Sequence, residues 1–127
     1  MEIIGLRYFN IFGPRQDPNG AYAAVIPLFI DAVLKNKSPR MNGDGGQTRD
    51  FTFVENCVQA NIKAALTTNP EAINQVYNIA VADRTSLNDL FTILTEEAGV
   101  SITPEYGPER VGAVSYTHLT LPTICSV

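Results

Sequence analysis

The sequence predicts an α/β domain built on a parallel sheet, and three observations carry that expectation. Two apolar runs, Ile3 to Tyr8 and Gln75 to Val81, lack the polar alternation of a half-solvated strand. Three other stretches repeat apolar residues at intervals of three and four, as amphipathic helices do. The two kinds of segment alternate along the chain, and strands that are apolar throughout need helices on their faces, which favours a parallel sheet over an antiparallel sandwich. A length of 127 residues allows one domain.

In chain order, Ile3 to Tyr8 is expected to form a strand buried on both faces. Asn10 to Gly20, rich in Pro, Gly and Asn, follows as a structured loop. Ile26, Phe29, Ile30, Val33 and Leu34 mark a helix to about Asn36, with Pro27 in the first turn, where its missing N–H costs least. Ser38-Pro39 stops that helix, and 40 to 42 is a brief extended piece. Gly43-Asp44-Gly45-Gly46 is a turn with enough glycine to bring backbone against a bulky neighbour. Val54, Val58, Ile62, Ala65 and Leu66 define a second helix, and Gln75 to Val81 the second buried strand. Thr85 or Ser86 caps a third helix, with Leu87, Leu90, Phe91, Leu94 and Ala98 on its apolar face and Gly99 at its C-cap. A second short extended piece is expected at 101 to 105. Two long strands make a poor sheet, so part of the domain is expected to lie outside this sequence.

Composition excludes several functions. Nine Lys and Arg against thirteen Asp and Glu give a net charge of −4, the wrong sign for a protein that neutralises nucleic-acid phosphates. No run approaches the roughly 18 apolar residues that span a bilayer, and Met1-Glu2-Ile3-Ile4-Gly5 lacks the basic start of a signal peptide, so no membrane association and a cytoplasmic location are expected. Cys57 and Cys125 are far apart, without metal-ligand spacing, and suit a reducing compartment. No His, Cys and carboxylate cluster suggests a metal, and no GxGxxG or Walker loop is present.

All charged residues fall at or before Arg110, while Ala113 to Val127 has none and holds the only His, His118. Val114 to Thr123, VSYTHLTLPT, resembles one reading frame of a transposon-derived sequencing adaptor. Residues 113–127 are therefore expected to be a non-native tail, leaving 1–112 as the genuine sequence, and His118 and Cys125 are expected to carry no function; the alternative is a natural C-terminal strand, since Thr, Val, Tyr and Leu favour β structure. The encoded protein is expected to be longer than this chain.

The remaining candidates are polar residues at strand ends, where open α/β sheets bind ligands. Asn10 lies just beyond the first strand, where its amide can donate to a phosphate or hydroxyl, and Tyr8 and Phe9 offer flat surface for a ring. The alternative is an Asn that satisfies turn backbone and two aromatics that fill a core. Arg49, in Thr48-Arg49-Asp50-Phe51, is either an anion clamp or half of a salt bridge fixing the turn.

LRYFNIFGPRQ (6 to 16), GAYAAVIP (20 to 27), NGDGGQTRDFTFVENC (42 to 57), YNIAVADRTSLNDL (77 to 90) and ERVG (109 to 112) resemble, in order and spacing, the C-terminal half of the NAD-dependent epimerase/dehydratase family, the extended short-chain dehydrogenase/reductases. AAVIP and the NGDG turn look most like its UDP-N-acetylglucosamine 4-epimerase branch, which includes enzymes serving surface-polysaccharide synthesis. The resemblance implies a partial Rossmann-like parallel sheet with the small C-terminal substrate-binding subdomain. It implies a nucleotide-sugar substrate, a UDP-hexose or UDP-N-acetylhexosamine, bound NAD held mainly by residues outside this sequence, and a homodimer. By the same resemblance Asn10 binds the diphosphate or adjacent sugar, Gln16 faces the sugar, and Ala24 and Val25 contact the uridine side. Asn42 lies on the uracil-proximal strand, Arg49 and Arg110 clamp the pyrophosphate, and Tyr8 and Phe9 sit beside the nicotinamide. Where many relatives place a tyrosine or an apolar residue near the base, this sequence has Arg40.

Two departures qualify what the resemblance implies. The family's glycine fingerprint, catalytic Ser or Thr, and Tyr-x-x-x-Lys pair are absent: none of Tyr8, Tyr22, Tyr77, Tyr106 and Tyr116 has a Lys four residues later. No catalytic residue is assigned, and this polypeptide alone is expected to be inactive. Ala113 also stands where the family's Arg-x-Gly-Asp pattern places Asp, which puts the end of the genuine sequence at Gly112. In the intact isomerase the resemblance implies loss of the 4-hydroxyl proton to a tyrosinate and of hydride to NAD, then return of hydride to the other face of the keto sugar. The competing readings are a nucleotide-sugar dehydratase of the same family and a non-catalytic nucleotide-sugar binding module.

Overall fold

The structure, a computed structural model, describes residues 1–19 and 24–108 together with the backbone of 123–124. Its elements are β1 (Ile4–Tyr8), β2 (Ile11–Phe12), α1 (Val25–Leu34), β3 (Arg40–Asn42), β4 (Thr48–Arg49), β5 (Thr52–Phe53), α2 (Val54–Leu66), β6 (Gln75–Ile79), β7 (Thr85–Ser86), α3 (Leu87–Ala98), β8 (Glu105–Gly107) and β9 (Thr123–Ile124). They form two compact units, one of 1–13, 50–84 and 117–127, the other of 14–49 and 85–116.

The first unit holds the longer parallel sheet of the α/β fold. β1 and β6 run parallel over five residue pairs, Ile4 opposite Gln75 through Tyr8 opposite Ile79, and β9 lies parallel to the far end of β6, with Thr123 opposite Asn78. The start of the pair is pinned twice, because Asn74 N–H donates to the Ile3 carbonyl (2.6 Å) while Ile3 N–H donates to Asn74 Oδ1 (3.2 Å). Beside it, β2 pairs parallel with β5, and Phe12 packs on Phe51 and Phe53 at ring centroid distances of 6.5 and 5.5 Å. Burial concentrates at the far end of β6, in Asn78, Ile79 and Ala80, with Thr52 and with Ala60 of α2. The expectation that β1 is buried on both faces needs correction: Ile4 to Leu6 are half-buried, and Arg7 and Tyr8 are exposed. Apolar sequence records what a strand can bury, and among the described residues β1 pairs along one edge with β6 and meets one helix, α2.

The second unit carries a helical pair and two short ladders. Phe29 and Val33 of α1 meet Phe91 of α3 around Met41 of β3, and the Phe29 and Phe91 rings cross edge to face at 5.6 Å. β3 pairs parallel with β8, and β4 antiparallel with β7. The strand expected at 101 to 105 lies instead at Glu105–Gly107, because its residues are selected by pairing with Arg40–Asn42 rather than by local propensity. The third helix is as the sequence predicts: Ser86 Oγ accepts the Asp89 N–H at 3.0 Å, and Gly99 closes the helix in the left-handed conformation, φ 64°. α1 begins differently. Its N-cap is Ala24, which has no side chain to accept a first-turn N–H.

Candidate functional site

In the first unit, three loops that leave strand ends are tied together by one residue. Asp50 accepts the Val81 N–H on Oδ1 (3.1 Å) and the Ala82 N–H on Oδ2 (2.9 Å), fixing the backbone that leaves β6. Its main-chain carbonyl accepts Nδ2 of Asn10 at 3.2 Å, and the Asn10 carbonyl accepts the Thr52 N–H at 3.3 Å. Asn10 and Ala82 both adopt left-handed backbone, φ 38° and 59°. Asparagine tolerates that conformation; alanine pays about 1–2 kcal/mol for it, which the two hydrogen bonds to Asp50 offset. Asn10 therefore does what the turn reading anticipated, its Nδ2 satisfying turn backbone, while the side chain remains exposed.

Tyr8 is 49% exposed and anchored, its hydroxyl donating to Asn61 Oδ1 at 2.9 Å. Asn61 is itself held to the Cys57 carbonyl at 2.8 Å. A ring fixed at its hydroxyl end with a face in solvent has what a flat heteroaromatic neighbour requires. Phe9, next to it in sequence, is half-buried.

In the second unit, Arg49 stands on β4 opposite Thr85. Its Nη1 donates to the Thr48 carbonyl at 2.8 Å, and no carboxylate of its own unit pairs with it among the described residues. The salt-bridge alternative for this segment assigned Asp50 to fixing the turn, yet both Asp50 carboxylate oxygens are used on backbone amides of the first unit. The Arg49 guanidinium, half-buried and without a carboxylate of its unit beside it among the described residues, is the kind of group that takes an external anion.

Asn42, at the end of β3, is exposed and sits beside the glycine turn. That turn is as tight as its composition suggests. Gly43 and Gly45 have φ of 72° and 73°, and a Cβ on Gly45 would overlap Asn88 Oδ1 and the Met41 sulfur. Ala24 and Val25 form the start of α1, where Ala24 supplies no side-chain cap and, with Pro27 lacking an N–H, the Val25 and Ile26 N–H groups are the first-turn donors. Gln16 is half-buried in the loop before α1. Arg40 lays its guanidinium over Gly107, where a Cβ would come within 2.9 Å of Nε. Arg110 lies outside the described residues.

The sequence reading missed two organisers, Asp50 as a clasp and Asn88, whose side chain ties the glycine turn to α3. Neither has a local signature, because their partners are distant in sequence. Among the described residues no His, Cys and carboxylate group could hold a metal, and no helix is long and apolar enough to cross a membrane.

Comparison with known proteins adds an independent line. The model of the NAD dependent epimerase/dehydratase family matches residues 1–80. The fold superposes with a TM-score of 0.84 on UDP-N-acetylglucosamine 4-epimerase from Methanobrevibacter ruminantium M1, solved in complex with UDP-N-acetylmuramic acid. That match is 43% identical and covers 91% of this chain and 36% of the other. UDP-glucose 4-epimerase from Thermotoga maritima, solved with UDP-glucose, gives the same TM-score at 36% identity, covering 95% of this chain and 38% of the other. A UDP-N-acetyl-alpha-D-glucosaminuronate decarboxylase of Bacillus cytotoxicus is 43% identical over 86 residues, 67% of this chain and 25% of its own length. The chain therefore spans well under half the length of each of these proteins.

Proposed function

The chain belongs to the NAD dependent epimerase/dehydratase family, and from that premise we propose that it forms the substrate-binding part of a nucleotide-sugar 4-epimerase, acting on UDP-hexoses or UDP-N-acetylhexosamines. The observation that carries this reading is the Arg49 guanidinium, which pairs with no carboxylate of its unit among the described residues, while the Asp50 carboxylate accepts the Val81 and Ala82 N–H groups. A cation so placed in a protein of net charge −4 fits a bound diphosphate. Arg49 and Arg110 hold the pyrophosphate. Asn42, with the Ala24 and Val25 backbone, receives the uridine, and Asn10 and Gln16 orient the sugar.

NAD, when bound, supplies hydride acceptance and return at the sugar 4-carbon. Tyr8 and Phe9 would be this chain's residues toward it, Tyr8 through its exposed ring face, and Asp50, by fixing Asn10, keeps the sugar-side amide in place. No residue of this chain is assigned the proton transfer; that chemistry, and dimerisation, belong to the rest of the enzyme. A role in building surface polysaccharide follows if the substrate is an N-acetylhexosamine nucleotide. The likeness to a decarboxylase of a UDP-hexuronate favours a second reading, in which the same nucleotide clamp presents an acidic sugar.

Calorimetric titration of the chain with UDP and with uridine tests the first reading. UDP is expected to bind at least about tenfold tighter, since one hydrogen bond to a charged group contributes roughly 1.5–3 kcal/mol. Equal affinities would contradict a diphosphate clamp. Of the sugar nucleotides, UDP-N-acetylglucosamine is expected to bind tighter than UDP-glucuronic acid, and the reverse order would favour the second reading.

A further inference from the structure

We propose that Asn88 is a positioning residue for the nucleotide end of the site, acting through the glycine turn on Asn42; the inference rests on the nucleotide-sugar reading above. Asn88 is the second residue of α3. Three of its groups reach outside α3: the backbone N–H donates to the Gly45 carbonyl (3.1 Å), Nδ2 donates to the Asp44 carbonyl (3.0 Å), and Oδ1 accepts the Tyr106 hydroxyl (3.0 Å). Leu87 N–H adds a bond to the Gln47 carbonyl at 3.2 Å. The first turn of α3, whose N–H groups have no partners within the helix, is thus satisfied in part by the carbonyls of the turn that follows Asn42.

The turn cannot settle elsewhere without loss. Gly45 lies so close to Asn88 and Met41 that no side chain fits there. On either side of it, Gly43 N–H donates to the Gly107 carbonyl at 2.9 Å and Gln47 Nε2 donates to the Asn42 carbonyl at 2.7 Å. The Asn42 backbone is therefore held from both directions, while its side-chain amide is exposed and makes no hydrogen bond among the described residues. A donor and acceptor pair held this way, with nothing of its own to bind, is placed for a flat ligand edge that offers a carbonyl beside an N–H, as a pyrimidine does. The Tyr106 ring, 57% exposed, is steered by the same Asn88 and carries β8 with it.

The test is calorimetric titration of the chain with UDP in two backgrounds, with Asn42 present and with Asn42→Ala. With Asn42 present, Asn88→Ala is expected to weaken UDP binding about tenfold, the size of one or two neutral hydrogen bonds. In the Asn42→Ala background the same change is expected to cost less than about twofold, since the two residues act as one unit. Tyr106→Phe removes only a hydroxyl and leaves the core untouched, so it serves where Asn88→Ala unfolds the chain; it is expected to weaken UDP binding about threefold with Asn42 present and not at all without it. Equal losses in both backgrounds, which a general loosening of the unit would produce, overturn the inference. So does unchanged affinity in both variants while Arg49→Ala still weakens binding, an outcome that leaves the nucleotide-sugar reading standing. If the unmodified chain binds no UDP, that reading and this inference fall together.

Discussion

The Asp50 carboxylate holds Ala82 in a left-handed conformation, Oδ2 accepting its N–H at 2.9 Å while Oδ1 takes the Val81 N–H at 3.1 Å. Neither amide lies in a strand ladder among the described residues, and the carboxylate serves as their acceptor. Asp50→Ala leaves both N–H groups without a charged acceptor and is expected to destabilise the chain by about 2–3 kcal/mol. Asp50→Asn, which keeps one acceptor oxygen, is expected to cost less. Urea unfolding midpoints at constant m-value measure both, and equal costs for the two variants would show that the charge contributes nothing.

Ala82 itself allows a gain. A glycine reaches φ 59° without the Cβ penalty, and Ala82→Gly is expected to stabilise the fold by about 0.5–1 kcal/mol, the αL relief of roughly 1–2 kcal/mol less the added chain entropy. A lowered thermal midpoint would mean that the turn is not under the strain assigned to it.

Two glycines separate space from conformation. Gly45 and Gly99 share positive φ, 73° and 64°, but a Cβ on Gly45 overlaps Asn88 and Met41, whereas Gly99 has nothing within 4 Å. Gly99→Ala is expected to cost about 1 kcal/mol, the conformational penalty alone. Gly45→Ala adds an overpacking cost of about 1–3 kcal/mol. Denaturant titration of the pair decides, and equal costs would refute the close approach.

Much of this fold is legible in the sequence, and what is not has a physical pattern. The three helices announce themselves through periodicity, and Ser86 and Gly99 mark the ends of the third, because capping is local chemistry within a few residues. β1 and β6 are legible as apolar runs, but the half-exposure of β1 is not, since burial depends on what lies beside a strand. The two-residue strands β2, β4, β5 and β7 carry no pattern of their own and exist through pairing across the chain, Ile11 with Thr52 and Arg49 with Thr85. The same holds for the site. Arg49 and Asn10 stand out as polar residues at apolar ends, whereas the role of Asp50 is invisible because Val81 lies 31 residues away.

The uncapped start of α1 yields a prediction on the nucleotide side. Ala24→Ser supplies an N-cap oxygen that competes for the Ile26 N–H, since Pro27 at the third helical position has none. It is expected to stabilise the chain by about 1 kcal/mol while weakening UDP binding. A thermal shift assay with and without UDP reads both effects. A stabilised variant that binds UDP unchanged would remove Ala24 and Val25 from the site.

Whether Arg49 holds a diphosphate or fixes a turn is decided by calorimetric titration of UDP into the unmodified chain, Arg49→Ala and Arg49→Lys. Arg49→Ala is expected to lose about 1.5–3 kcal/mol of binding, roughly ten- to a hundredfold in Kd, with little change in stability. Arg49→Lys is expected to recover part of it, because an ammonium keeps the charge but not the planar fork. Unchanged UDP affinity in Arg49→Ala together with a lowered unfolding midpoint would contradict the account and return Arg49 to a structural role on β4.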